Sequence, residues 1–144
     1  MPNPDYYTSY LWNKYVGTHI LEVTRADEYS DLRAYAACGK TQGDMIFIFI
    51  NLSDDQEYQV HLGFDERLVT AMRYHYEISS DSLVSQTTYI NGEEVKGIDE
   101  DGNIIGLKEH TESPLDDVYV KPRTYGFVHY QGSNMLVCNM MNEW

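Results

Sequence analysis

Hydrophobic and polar positions change period once along this chain. In the opening stretch "PDYYTSYLWNKYVG", residues 4 to 17, the spacing is helical. Asn3 is placed to cap, Pro4 suits the first helical position, Asp5 favours the positive N-terminal end, and Gly17 stops the segment. At about 100° per residue, Tyr7, Tyr10, Leu11 and Tyr15 share one broad face. Trp12 and Val16 extend that face and leave only Ser9 and Asn13 clearly polar, which is more apolar surface than an ordinary surface helix carries.

After Gly17 the period drops to that of strands. "HILEVT" and "LRAYAAC" come first, the latter with Leu32, Ala34, Ala36 and Cys38 on one side. "MIFIFI", residues 45 to 50, is a continuous apolar run that suits a strand covered on both faces. In "LVTAMRYHYEI" alternation puts Met72, Tyr74, Tyr76 and Ile78 on one face and Arg73, His75 and Glu77 on the other, predicting a half-exposed antiparallel strand. Asn91-Gly92 and Asp101-Gly102 accept the positive φ of tight turns and predict hairpins. Residues 108 to 117 read as a polar loop, and "RTYGFVHY" and "NMLVCNM" as a closing hairpin across "QGS". Short antiparallel strands with one convincing helix predict an all-β fold, an antiparallel β-sandwich with a short N-terminal α-helix.

Composition narrows the possible partners. The 144 residues, 42% hydrophobic and 13% aromatic, suffice for one domain with a real core. Ten Lys and Arg against 23 Asp and Glu give a net charge of -13, which repels nucleic acid and anionic membranes. No apolar run is long enough to span a bilayer, and the N-terminus lacks the pattern of a secretory signal, so the chain reads as soluble and untargeted.

Candidate chemistry is sparse. The pairs Asp54-Asp55, Glu93-Glu94 and Asp116-Asp117 fall in turns or loops, where adjacent carboxylates point apart instead of flanking a substrate. "DEDGN" spaces Asp99, Asp101 and Asn103 like a calcium loop, but its glycine is misplaced and no glutamate closes it, so it reads as a hairpin turn. His19, His61, His75, His110 and His129 show no paired metal-ligand spacing, there is no GxSxG elbow, and glycine-rich phosphate loops are absent. No catalytic residue, metal or cofactor is therefore assigned. Cys38 and Cys138 are either two buried thiols or one long-range disulfide. Asn51-Leu52-Ser53 is a sequon, making Asn51 a candidate glycosylation site.

Several stretches, in order, resemble the C-terminal β-sandwich region of heparanase and related β-glucuronidases of glycoside hydrolase family 79. They are "PDYYTSYLWNKYVGT", "LRAYAACGK", "GDMIFIFINLS", "SLVSQTTYINGEEV" and "RTYGFVHYQGSNMLVC". The resemblance implies a retaining enzyme whose (β/α)8 barrel carries both catalytic glutamates upstream of the matching segment, so no residue here inherits a catalytic role. It implies that residues 1–17 correspond to the last barrel helix and 18–144 to the sandwich. It also implies a Cys38–Cys138 disulfide and an extracellular or lysosomal setting. Tyr7, Tyr10, Leu11, Trp12 and Tyr15 are then expected to form an interdomain or self-association surface, meeting the catalytic barrel or another copy of the chain. The expected role is a non-catalytic accessory domain. The alternatives are a carbohydrate-binding module that takes a glycan on surface aromatics, and a self-associating secreted structural protein.

Overall fold

The computed structural model describes residues 3–24, 31–63, 71–82 and 84–140. The helix α1 runs Pro4–Tyr15, with the Asn3 side chain accepting from the Tyr6 backbone N–H and proline in the first turn, as its sequence predicts. It ends earlier than Gly17, because Val16 turns extended and opens the first strand. Among the described residues ten strands follow: β1 Val16–Leu21, β2 Leu32–Gly39, β3 Met45–Asn51, β4 Tyr58–Val60, β5 Met72–Ser79, β6 Thr88–Ile90, β7 Glu93–Val95, β8 Thr111–Glu112, β9 Val118–Val120 and β10 Tyr125–Gln131. A short second helix, α2, spans Leu136–Met140.

Eight strands form one antiparallel sheet in the order β1-β2-β3-β10-β5-β6-β7, with β8 on the early part of β5. The other two, β4 and β9, make a small antiparallel sheet. Period-two alternation sends the apolar side chains of β3 to opposite faces, as expected for its continuous run. Ile46 and Ile48 join Tyr76, Ile78, Phe127 and α1 in one core. Met45, Phe47 and Phe49 join Leu32, Val128, Val118 and Val120 in another, beneath the small sheet. The result is a mostly antiparallel, sandwich-like body. The large sheet lies in the middle, α1 covers part of one face, and β4–β9 cover the other.

Three expectations are corrected here. Of the strand expected over residues 68–78, Leu68 to Thr70 lie outside the described residues and β5 covers the rest from Met72. Its polar face is not exposed: Arg73, His75 and Glu77 are buried, while Met72 is 54% exposed. The cause is cover: the 111–117 segment lies against that face, with Glu112 and the Asp116 and Asp117 carbonyls on Arg73, and the His110 ring packs edge-on to His75.

"NMLVCNM" is not a closing strand but contains α2, with the Asn139 N–H reaching the Met135 carbonyl. A hairpin partner needs a free strand edge, and both edges of β10 are already occupied, by β3 and β5. The Asn91-Gly92 turn does join β6 to β7, with φ of 55° and 81°. The Asp101-Gly102 turn is flanked by the isolated Ile98–Ile104 bridge instead of by strands, the Asp99 N–H donates to the Asn103 carbonyl, and the Asp99 carboxylate accepts from the Asp101 and Asn103 N–H groups.

Candidate functional site

The five helix residues expected to make a surface are placed unequally. Tyr7 and Leu11 are fully buried in the core shared with the large sheet. The Tyr7 hydroxyl accepts from the Gly97 N–H at 2.6 Å, and the Tyr10 hydroxyl donates to the Gly102 carbonyl, so this flank of α1 is bound to the 97–102 turn. Tyr15 is half-buried against Tyr76, Phe127 and His129, and Thr8 donates to the Tyr125 hydroxyl at 2.9 Å, so the opposite flank lies along β10. Of the five, only Trp12 stands on the outside, at 37% exposure. The aromatic excess of α1 is thus largely spent on this chain's own sheet.

The most concentrated polar chemistry lies on the other face, where alternation alone signalled an exposed strand side. Arg73, 1% exposed, pairs with Glu112 and donates to the Asp116 and Asp117 carbonyls, tying the 111–117 segment to β5. The other oxygen of Glu112 lies 3.0 Å from His110 Nε2, and His75 Nε2 lies 3.9 Å from Glu77. Partial burial works against ionised Glu112, but the Arg73 guanidinium, with His75 and His110 nearby, outweighs it and holds the carboxyl below its ordinary range. Hydrogen bonds from His61 and Gln59 likewise lower Asp117. Burial pushes the neighbouring Tyr130 phenol up to about 12.

This cluster works as a latch: Glu112 is held by Arg73 and His110, and Glu77 sits beside its own histidine. Because Glu112 and Asp117 have lowered folded-state values, their contribution is complete above the ordinary carboxylate range, near pH 4, and is lost as pH falls through it. Thermal unfolding of Glu112→Gln should therefore show a flatter acid limb than the parent chain. Parallel curves would contradict the latch.

Asn51 is 3% exposed and fully engaged. Its Nδ2 donates to the carbonyls of Gln56, Val120 and Lys121 at 2.9, 3.2 and 3.0 Å, and its Oδ1 accepts from the Ser53 N–H at 2.9 Å. The sequon pattern, read as an acceptor site, coincides here with a turn that ties β3 to β9. Asn51→Ala should cost roughly 2–3 kcal/mol by stranding those carbonyls. Folded protein from a glycosylating host should carry an unmodified Asn51, and a glycan mass at that residue would refute the placement.

Cys38 and Cys138 are joined as a disulfide linking β2 to α2 across 100 residues. Beside it, buried His129 and Asp44 pair at 2.8 Å, and Asp44 also accepts from the Gly132 N–H. Glu93 and Glu94 are exposed on β7, and Asp54 binds exposed Arg123, with which it lines a surface groove. No group of three or more His, Cys, Asp or Glu among the described residues is arranged to hold a metal.

A sandwich-like body with a docked N-terminal helix and a long-range disulfide is the class the geometry defines. Comparison with known proteins gives the relationship. The chain is 28% identical over 137 residues to the baicalin-β-D-glucuronidase of Scutellaria baicalensis, covering 94% of this chain and 25% of that protein. It is 27% identical over 147 residues to the heparanase of Bos taurus, covering 95% and 26%. It is 26% identical over 149 residues to the hyaluronoglucuronidase of Hirudo nipponia, covering 95% and 29%. No protein-family model matches the chain. The chain is homologous, nearly end to end, to a domain-sized segment of heparanase-type glucuronidases and spans about a quarter of the length of these curated relatives.

Proposed function

We propose that this chain is the non-catalytic accessory β-sandwich domain of a heparanase-like retaining β-glucuronidase, and that it supports a catalytic (β/α)8 barrel outside these 144 residues. The observation that carries the reading is the alignment: about 95% of this chain matches about a quarter of each of several glucuronidases. The engagement of Glu112 and Glu77 in local pairs supports it, since each carboxylate is held by its own neighbour. The role is mechanical: the domain supplies a rigid, disulfide-tied surface on which the barrel is stabilised and positioned. The disulfide supports an extracellular or lysosomal setting.

An antibody raised against this chain tests the reading on material from its natural source under native conditions. The antigen should migrate as part of, or bound to, a glycosidase-sized species. A free monomer of 16.7 kDa would overturn the proposal. Saturable binding of neutral oligosaccharides by that monomer would favour the carbohydrate-binding alternative.

A further inference from the structure

A groove of about 1090 Å³ opens where the start of α1, the end of β3, the start of β10 and the segment after β5 meet. That volume suits an extended small ligand. Its lining interleaves two chemistries. The carboxylates of Asp5, Asp54 and Asp81, the Arg123 guanidinium and the Gln86 amide offer solvent-facing acceptors and donors. Among them Leu52 and Val84 present aliphatic surface at 57% and 91% exposure, and Ile50 lies beside half-buried Tyr125 in the strand ladder.

The walls are held in place by the chain itself. Arg123 has a φ of 57°, a left-handed conformation uncommon for a residue with a side chain. Its N–H donates to the Ser53 carbonyl at 3.1 Å and its Nε to Asp54 at 3.0 Å. Across the groove, Ser80 Oγ donates to the Thr87 carbonyl at 2.5 Å and Ser85 Oγ accepts from the Thr87 N–H at 3.1 Å, which closes the segment after β5 on itself. A site formed in advance loses less ordering entropy when it is filled.

Charge and topology narrow the occupant. Three carboxylates against one guanidinium repel sulfate and uronate groups, and the density of polar groups disfavours a purely apolar ligand. A peptide cannot add as a strand there, because both edges of β3 and of β10 are already paired. An uncharged sugar chain fits both halves of the lining, since its hydroxyls take carboxylates, amides and guanidinium while its C–H faces rest on aliphatic and aromatic side chains.

We infer that the groove at the start of α1 binds an uncharged oligosaccharide, with Asp54, Gln86 and Arg123 taking its hydroxyls and Leu52 and Val84 its C–H faces. Its place in an enzyme rests on the accessory-domain reading, in which residues 1–17 are the last helix of a (β/α)8 barrel. Helices of that fold begin at the end that carries the active-site loops. The groove, at the start of α1, then receives the neutral portion of a glycan whose glucuronide is cleaved.

Calorimetric titration of the purified full chain with cellotetraose, xylotetraose, mannotetraose and galactotetraose tests the groove, with a heparin tetrasaccharide as the charged comparison. At least one neutral probe should bind saturably, and the heparin fragment should not compete with it. Arg123→Gly suits the left-handed backbone and Val84→Asp changes a residue almost wholly in solvent, so both should keep the parent thermal transition. Each should weaken binding at least about tenfold, roughly 1.4 kcal/mol. Leu115→Asp, an exposed position outside the groove, should leave binding unchanged. Binding of no neutral probe, or binding that survives both groove substitutions, overturns the inference and leaves the accessory reading standing. Tighter binding of the heparin fragment overturns the ligand class. Neutral binding by a chain that is a free monomer in its natural source supports the groove and overturns the accessory reading.

Discussion

Gly126→Ala should prevent folding. Gly126 lies in β10, at the centre of the sheet, paired with Phe49 on one side and Glu77 on the other. A Cβ built there would lie 1.8 Å from the Tyr76 carbonyl oxygen, and its φ of 153° is one that side chains rarely adopt. The obstacle is backbone on a neighbouring central strand, so relief requires breaking the β10–β5 ladder, on which both cores depend. That loss is comparable to the whole stability of an ordinary domain, about 5–15 kcal/mol. The variant should show no cooperative thermal transition. Gly132→Ala is the control: its φ is 76° but nothing lies within 4 Å of the added atom, so it should cost only about 1–2 kcal/mol. A Gly126→Ala chain that melts like wild type would show the β10–β5 packing to be wrong.

Removing the disulfide should be the next largest loss. Closing 100 residues between Cys38 and Cys138 restrains the unfolded chain by about 4–5 kcal/mol in the chain-entropy account. For a domain of this size that corresponds to a fall of roughly 10–20 °C in Tm. Both cysteines are buried, at 4% and 1%, so the paired substitution Cys38→Ala with Cys138→Ala is a cleaner probe than added reductant. In the native state α2 is also held by the Met135 N–H on the Gly43 carbonyl, and Ser133 donates to the same carbonyl, so the double variant should remain folded at low temperature. An unchanged Tm, with two titratable thiols in the parent protein, would contradict the link.

Much of this architecture is legible locally. Asn3, Pro4 and Asp5 announce α1 because capping acts within one turn, and Asn91-Gly92 announces its hairpin because positive φ is a local demand. The apolar run of β3 announces a strand needed by two cores. What failed was set by neighbours distant in sequence. Alternation in β5 shows that Arg73, His75 and Glu77 share a face, but only the arrival of β8 and the 113–117 segment buries that face. "NMLVCNM" has the composition of a strand, yet β10 has no free edge to offer it.

The sites divide in the same way. A hydrophobic pattern counts the apolar residues of α1 without saying which partner covers them, and Tyr7 and Leu11 turn inward while Trp12 does not. A sequon is a three-residue pattern and cannot reveal that the amide of Asn51 is occupied by carbonyls from three other residues. The disulfide was open on spacing alone, and the family resemblance is what pointed to it.

Turnover by the isolated chain tests the central claim most directly. The purified 144-residue protein, assayed at high concentration against an aryl β-glucuronide from mildly acidic to neutral pH, should release no aglycone above the buffer rate. Turnover that disappears when Glu77 or Glu112 is changed to glutamine would place a catalytic site within this chain and contradict the account.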